Sequence, residues 1–107
     1  MATNARIAVT ASGLEFPNPI VRKNNVVTYG GPVTGTVTAG TLTINCKAPR
    51  GLVFESPKDS EGNVLNTINL ASPQKLNIPG KIESYEFTIS GFAGTATEIF
   101  LPIDSFD

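Results

Sequence analysis

Residues with reactive side chains are scarce in this sequence of 107 residues, which contains no histidine, no tryptophan and one cysteine. Without histidine it lacks Ser–His and Cys–His nucleophile pairs, imidazole metal ligands and a side chain that titrates near neutral pH. One thiol cannot form an intramolecular disulfide or a thiolate cluster, which excludes a disulfide-framed secreted scaffold. Cys46 shares one face of a predicted strand with Leu42 and Ile44, so we expect it to fill the core instead of reacting.

One acidic segment has a composition that could bind calcium. Asp59, Glu61 and Asn63 resemble the first ligands of a calcium loop. An EF-hand places glycine sixth and glutamate twelfth, whereas here Gly62 is fourth and Leu70 is twelfth. We therefore expect a solvated polar loop, with a low-affinity surface calcium site as the alternative.

Two further patterns lack the geometry of an enzyme site. Glu83 and Glu86 occupy opposite faces of one predicted strand, so their carboxylates cannot converge on a glycosidic bond. Residues 30–36 have the glycine spacing of a phosphate loop, but Thr36 stands where lysine is needed and no helix follows. The sequence predicts a protein that is not an enzyme, with no catalytic residue, bound metal or cofactor.

Charge and hydropathy argue against nucleic-acid and membrane partners. The formal net charge is −1, and no aromatic residue stands beside the basic residues at 22–23, 47 and 50 to stack on bases. The longest strongly apolar stretch, residues 99–103, is too short to span a bilayer. Because residues 1–7 lack the apolar run of a signal peptide, we expect the chain to stay in the cytoplasm where it is made, unless a particle carries it out.

The elements that position these residues are predicted to be β-strands. Apolar and polar side chains alternate with period two, and no segment long enough for a helix shows helical spacing. The clearest run, residues 41–47, places apolar side chains on one face and polar ones on the other. Strands are predicted at residues 6–10, 26–29, 35–39, 41–47, 52–55, 67–70, 75–78, 81–90 and 95–103.

Turn-forming residues separate these strands and set the fold class. Hairpin turns are predicted at Ala39-Gly40 and Glu61-Gly62, where glycine supplies positive φ, and a further turn at residues 91–94. About eight short strands with short connections favour an all-β fold, either an antiparallel β-sandwich (Ig-like or jelly-roll-like) or a small barrel. We predict a single β domain over residues 1–107 in which residues 1–5 are loose, because nothing in them can be buried.

Four apolar residues are candidates for an interface. Residues 14–20 contain two prolines and are predicted to form an extended arm or edge segment, whose Phe16 and Ile20 pack on the chain's own core or dock on a neighbour. Phe92 lies in the predicted 91–94 turn and Phe106 near the C-terminus, where exposed rings favour an interface. For Phe106 the alternative is that it seals the core.

In overall character the chain resembles the small all-β virion proteins of tailed bacteriophages, especially capsid decoration or cement proteins. The resemblance rests on the Met-Ala-Thr-Asn start without a signal, the length, the lack of histidine and tryptophan, and the run Thr-Gly-Thr-Val-Thr-Ala-Gly-Thr-Leu-Thr at residues 34–43. It contains no specific motif, so no residue role transfers from it. It implies a non-enzymatic dimer or trimer that binds the major capsid protein on the outside of a shell.

The function predicted from the sequence is therefore that of a structural virion protein that stabilises the capsid by non-covalent contacts. A tail or baseplate component is the alternative within that class. A carbohydrate-binding or surface-binding β-sandwich is the alternative from another class. It would be favoured if Tyr29, which precedes a Gly-Gly-Pro turn, were an exposed platform for a sugar ring.

Overall fold

The computed structural model describes residues 2–18, 21–59 and 61–107, and within them the chain forms nine β-strands and no helix. Period-two alternation produces this outcome, because it lets each strand bury one face and expose the other. The strands are β1 (Ala2–Ala8), β2 (Leu14–Pro17), β3 (Asn24–Tyr29), β4 (Gly31–Pro32), β5 (Val37–Lys47), β6 (Thr67–Asn69), β7 (Gln74–Pro79), β8 (Ser84–Gly94) and β9 (Glu98–Phe106).

The strands form two antiparallel sheets with a regular order. One sheet has the order β1-β9-β3-β7, with the two-residue β4 also on β9, and the other has the order β2-β8-β5-β6. Strands from the first half of the chain thus pair in reverse with strands from the second half, β1 with β9, β2 with β8, β3 with β7 and β5 with β6. A long ribbon folded in this way and rolled up is a jelly roll. The all-β sandwich prediction is confirmed, and the strand order matches its jelly-roll alternative.

The core lies between the two sheets and is built from alternate residues of the strands. In β9 the side chains of Ile99, Leu101 and Ile103 point inward and are almost fully buried, whereas the residues between them are half-buried on the outer face. The largest fully buried side chains are those of Tyr29, Tyr85, Phe87, Ile7, Leu42, Ile44, Ile68, Leu70, Ile78, Ile99, Leu101 and Val27.

Two glycine-containing segments that we predicted as turns lie inside long strands. Residues 39–40 belong to β5 and residues 91–94 belong to β8, and these strands pair with register shifts between Val37 and Thr41. Gly40 has a φ of 149° within this irregular stretch. The turn predictions were wrong because a glycine with positive φ serves a β-bulge as well as it serves a hairpin.

The prediction that residues 1–5 are loose was also wrong. β1 begins at Ala2 and pairs with β9 in an unbroken register through Ala8, although Met1 lies outside the described residues. Ala5 and Ile7 face inward and are 2% and 1% exposed. Alanine contributes little apolar area, but pairing with the strongly apolar β9 carries the N-terminal segment into the sheet.

The predicted arm is an edge strand of this chain. β2 pairs with β8, and Phe16 lies opposite Tyr85. The ring centroids of Phe16 and Phe87 are 6.1 Å apart, so Phe16 packs on the chain's own core. Pro19 and Ile20 lie outside the described residues, and the prediction for Ile20 therefore stays a prediction.

One predicted strand, residues 52–55, lies instead in the connection between β5 and β6. Residues 52–55 do not form a strand, and within them Glu55 makes an isolated bridge to β5. The turn predicted at Gly62 is confirmed, with a φ of 85° and with Lys58 and Val64 paired across it.

The two tyrosines are both buried, but their hydroxyl groups differ. Tyr29 is 1% exposed and donates a hydrogen bond of 2.7 Å to the backbone oxygen of Leu70, so it cannot be an exposed sugar platform. The hydroxyl of Tyr85 has no hydrogen-bond partner among the described residues, and burial raises its pKa. An unpaired buried hydroxyl costs stability because its hydration is lost without compensation.

We expect Tyr85→Phe to raise the free energy of unfolding by about 1 kcal/mol, because it removes that unpaired hydroxyl. Tyr29→Phe is the matched control and should lower the free energy of unfolding by about 1 kcal/mol, because it leaves the Leu70 carbonyl unpaired. Urea unfolding followed by circular dichroism measures both changes, and a loss of stability in both variants would contradict the prediction.

Candidate partner-binding surface

Several connections meet at one end of the sandwich. β2 and β5 both reach the start of β8 in register with Ser84, and β7 and β9 both meet the start of β3 in register with Asn24. Residues 80–83 join β7 to β8 directly, which places the two groups of strand ends together. Among the described residues, this end therefore carries 18, 21–23, 48–59, 61–66 and 80–83 of the connections and the C-terminal residues 106–107.

Most of the exposed large apolar side chains lie on this end, which we call the apolar end. Six such side chains occur among the described residues, and one of them, Leu14, lies instead on the edge strand β2, opposite Phe87 of β8. Scattered exposed apolar residues are ordinary, whereas a gathered set marks a contact surface. The five on the apolar end are Val21, Leu52, Val53, Val64 and Phe106.

A hairpin-like loop presents the most exposed of these side chains. Cys46 and Glu55 close its base with two backbone hydrogen bonds of 2.8 Å each. Arg50 adopts a φ of 64° in the turn, and Leu52 and Val53 follow it with 97% and 63% of their surfaces exposed. The loop is closed at its base and presents these two apolar side chains to water.

A groove lies beside the C-terminal strand on the same end. Its volume is about 520 Å³, within the range of small-ligand pockets. Phe106 lines it with a ring that is 49% exposed. The lining residues are Asn24, Asn25, Asp59, Leu65, Asn77, Ile78, Pro79 and Phe106.

A buried amide fixes the strand ends beneath the groove. The side-chain nitrogen of Asn25 donates to the backbone oxygens of Ile78 and Gly80 at 3.2 and 2.8 Å. The hydroxyl of Ser105 donates to the Asn25 side-chain oxygen at 3.0 Å. One side chain thus ties β3 to β7 and β9, and buried polar networks of this kind hold the backbone in one arrangement.

The carboxylate of Asp59 closes a turn at the groove. One of its oxygens accepts hydrogen bonds of 2.9 Å from the backbone nitrogens of Glu61 and Asn63, and the other accepts one from the Asn63 side chain at 3.2 Å. The hydrogen bond from the Asn63 backbone is the largest cause of the lowered pKa of Asp59. The segment considered for calcium thus uses its carboxylate to organise its own loop, as Asx turns do.

The C-terminus is tied to the connection between β2 and β3. Arg22 forms an ion pair of 2.7 Å with Asp107, and hydrogen bonding from Arg22 is the first cause of the lowered pKa of Asp107. Both side chains are exposed, so the pair orients the tail more than it stabilises the fold. The tail residue Phe106 is held next to this pair.

Charged residues of both signs lie on the same end as the apolar side chains. A mixed polar rim around an apolar centre is typical of protein–protein interfaces and produces no single-sign field that would favour a polyanion. The charged residues on this end are Arg22, Lys23, Arg50, Lys58 and Lys81 on the basic side and Glu55, Asp59, Glu61, Glu83 and Asp107 on the acidic side.

The structure separates the residues that the sequence singled out. Phe106 lies on the apolar end, whereas Phe92 lies in β8 near the opposite end and is half-buried. Cys46 is partly buried against the core, as predicted, and burial raises its pKa to about 12. Leu52 and Val53 were missed as interface candidates because Leu-Val-Phe is also a typical strand sequence.

In its architecture the protein is a jelly-roll β-sandwich, and most of its exposed large apolar side chains lie at one end. No protein-family model, curated protein or solved structure matches the chain. Across residues 2–18, 21–59 and 61–107 there is no helix with the length and apolar character needed to cross a membrane.

Proposed function

We propose that this protein is a non-catalytic structural subunit of a virion, a capsid decoration protein that docks on the outer shell through its apolar end. The observation that carries the proposal is the gathering of five exposed apolar side chains on one end of the sandwich. The resemblance to small phage virion proteins supports the choice of partner, the major capsid protein. A tail or baseplate component is the alternative within the same class.

The loop tip supplies the largest part of the docking energy in this proposal. Burying an exposed leucine or valine side chain contributes about 1.5–3 kcal/mol. Leu52 and Val53 have most of this area still to bury, whereas Phe106 is already half covered. Many modest contacts of this kind, repeated by the symmetry of a shell, add up to strong attachment.

Quantitative mass spectrometry of purified particles tests the proposed location. The copy number of this chain is counted against that of the major shell protein. A simple ratio, with hundreds of copies per particle, is the expected result for a decoration protein. A few copies would move the protein to the tail, and absence from particles would overturn the virion proposal.

We expect the double substitution Leu52→Ser and Val53→Ser to weaken binding to shell subunits by at least about 30-fold, because it removes about 2 kcal/mol or more of apolar burial. The melting temperature should change little, since neither side chain contacts the core. Leu14→Ser is the matched control, because Leu14 is also exposed but lies on the edge strand β2, outside the connections that form the apolar end. Sedimentation with purified shells measures binding, and equal losses in both variants would contradict docking through the apolar end.

Carbohydrate binding is the second candidate function, and the groove is the observation that favours it. Phe106 offers a ring face for a sugar, and the side-chain amides of Asn24 and Asn77 make no hydrogen bond within the described part of the chain. A glycan array tests this candidate, with Phe106→Ala as the comparison. Specific binding that Phe106→Ala abolishes would support it, and no binding to any glycan would overturn it.

A further inference from the structure

The edges of the two sheets are not equally protected against pairing with another strand. Proteins prevent an exposed edge strand from pairing with another chain by keeping that strand short or by placing proline and lysine on it. β6 has three residues, β2 ends in Pro17, and β7 carries Lys75 and Pro79. β1 is the fourth edge, with seven residues and no proline.

Hydrogen bonds show which way the backbone groups of β2 and β7 point. The amide of Asn18 donates to Glu83, and the amide of Gly80 donates to Lys23, so these amides point into their sheets. Along an antiparallel pair, the backbone N–H groups of successive residues point alternately toward the partner strand and away from it. The backbone nitrogens of residues 17 and 79 therefore face the free edges of their sheets. Pro17 and Pro79 therefore remove a donor from each edge at the positions where an incoming strand would bind.

The same alternation leaves β1 with exposed donors and acceptors. The amide of Val9 donates to the backbone oxygen of Thr97 at 3.0 Å, so the odd-numbered amides of this segment point toward β9. The even-numbered residues Asn4, Arg6 and Ala8 consequently present their N–H and C=O groups to the free edge. All three are exposed.

The one charged residue of β1 does not shield this edge. The guanidinium carbon of Arg6 lies 5.0 Å from the centroid of the Phe100 ring on β9. The side chain therefore lies back across the outer face of its own sheet, where the cation–π contact holds it. A charge that projected beyond the edge would have opposed pairing.

We propose that β1 pairs antiparallel with β1 of a second copy of this chain, so that two sheets join into one across a two-fold axis. An edge strand that pairs with itself in this way forms a closed, self-complementary interface. The register that places Asn4 opposite Arg6 of the second copy keeps the two arginines apart and sets the even-numbered backbone groups of both strands face to face. This geometry makes dimers and leaves no free β1 edge for a third copy.

The dimer has a consequence for how the apolar ends are presented to partners, and this consequence rests on the proposed docking function. A two-fold axis between antiparallel strands of one sheet runs perpendicular to that sheet. The apolar ends of the two copies then face in opposite directions. A dimer that docks through one apolar end therefore holds its second apolar end away from that shell subunit, where it is available to a second partner.

Sedimentation equilibrium of the purified chain over a range of concentrations tests the pairing without any shell protein. We expect wild type to dimerise and Asn4→Pro to raise the dimer dissociation constant at least about tenfold, because each dimer loses the Asn4 donor twice. Lys75→Pro is the matched control: it places proline at an outward position on the β7 edge and should leave the dimer unchanged. A wild type that stays monomeric at about 1 mM, or a dimer that Asn4→Pro does not weaken, would overturn the proposal.

A measurement on the wild-type chain keeps the test independent of how Asn4→Pro folds. In a sample that mixes isotope-labelled and unlabelled copies, filtered nuclear Overhauser spectra report contacts between copies. The expected contacts join Asn4 of one copy to Arg6 of the other, and dimers with contacts elsewhere would overturn the proposal. Because the Leu52→Ser and Val53→Ser variant should still dimerise, failure of docking and failure of pairing are distinguishable.

Discussion

Replacing Phe87 with alanine is expected to lower the free energy of unfolding by about 3–5 kcal/mol, because it leaves a cavity in the centre of the core. The Phe87 side chain is fully buried, and its ring stacks on that of Tyr85 with centroids 5.8 Å apart. It also contacts the ring of Phe16 on the edge strand β2. Loss of the ring therefore weakens the attachment of β2 as well as the packing between the sheets. Urea unfolding monitored by circular dichroism measures the change.

Phe106→Ala is the matched control for that substitution, and it distinguishes an interface residue from a core residue. The Phe106 ring is 49% exposed, so its removal should cost at most about 1 kcal/mol. If Phe106→Ala destabilised the isolated chain as much as Phe87→Ala does, Phe106 would belong to the core. Its place on the docking surface would then have to be abandoned.

Gly94→Ala is expected to destabilise the chain by about 3–5 kcal/mol, through both backbone strain and steric overlap. Gly94 has a φ of 141°, and an added Cβ would overlap the backbone oxygen of Thr36. That oxygen already accepts hydrogen bonds from the amides of Thr95 and Ala96 at 2.9 and 3.0 Å. The overlap cannot be relieved without disturbing the turn between β8 and β9.

Gly91→Ala provides the comparison within the same strand. Gly91 also has positive φ, 62°, but an added Cβ would meet nothing within 4 Å. Its cost should be about 1–2 kcal/mol, which is the backbone conformation alone. Thermal unfolding of both variants separates strain from overlap, and equal losses would show that the close approach to Thr36 does not matter.

Both pairs of substitutions bear on the asymmetry of the molecule. The end that carries Gly94 is closed by tight backbone approaches such as the one to Thr36. The apolar end instead leaves Leu52 and Val53 in water on a loop whose base is closed by Cys46 and Glu55. Apolar side chains exposed to water are unfavourable in an isolated chain, so a surface that gathers them is expected to be covered by a partner.

The strand content and much of the core could be predicted from the sequence because they follow from local alternation. Leu42 and Ile44 point inward simply because they alternate with threonine and asparagine, and period two leaves them no other face. Alternation also places Ile99 and Leu101 on one face of their strand, and the structure buries both. The turn at Gly62 was also predicted correctly, because residues flanking it can pair across a short loop.

The wrong predictions arose where the local sequence is equally compatible with two different structures. A glycine such as Gly40 serves a hairpin turn or a bulge inside a strand, and the pairing of β5 with β8 decides between them. The small side chain of Ala5 gave no sign in the sequence that this segment would be buried. Ala5 nevertheless lies in a strand and is buried, because β1 pairs with the apolar strand β9. Both decisions depend on contacts far apart in the sequence.

The sequence by itself determined that this chain forms antiparallel strands and lacks the histidine-based and disulfide-based chemistries, since both follow from residue types and their spacing. Only the tertiary structure decided which strands became edges and which apolar residues stayed exposed. Leu52 and Ile44 have similar side chains, and one is 97% exposed while the other is buried. The difference comes from the rolling of the ribbon into two sheets, which encloses one and leaves the other on a loop at the end.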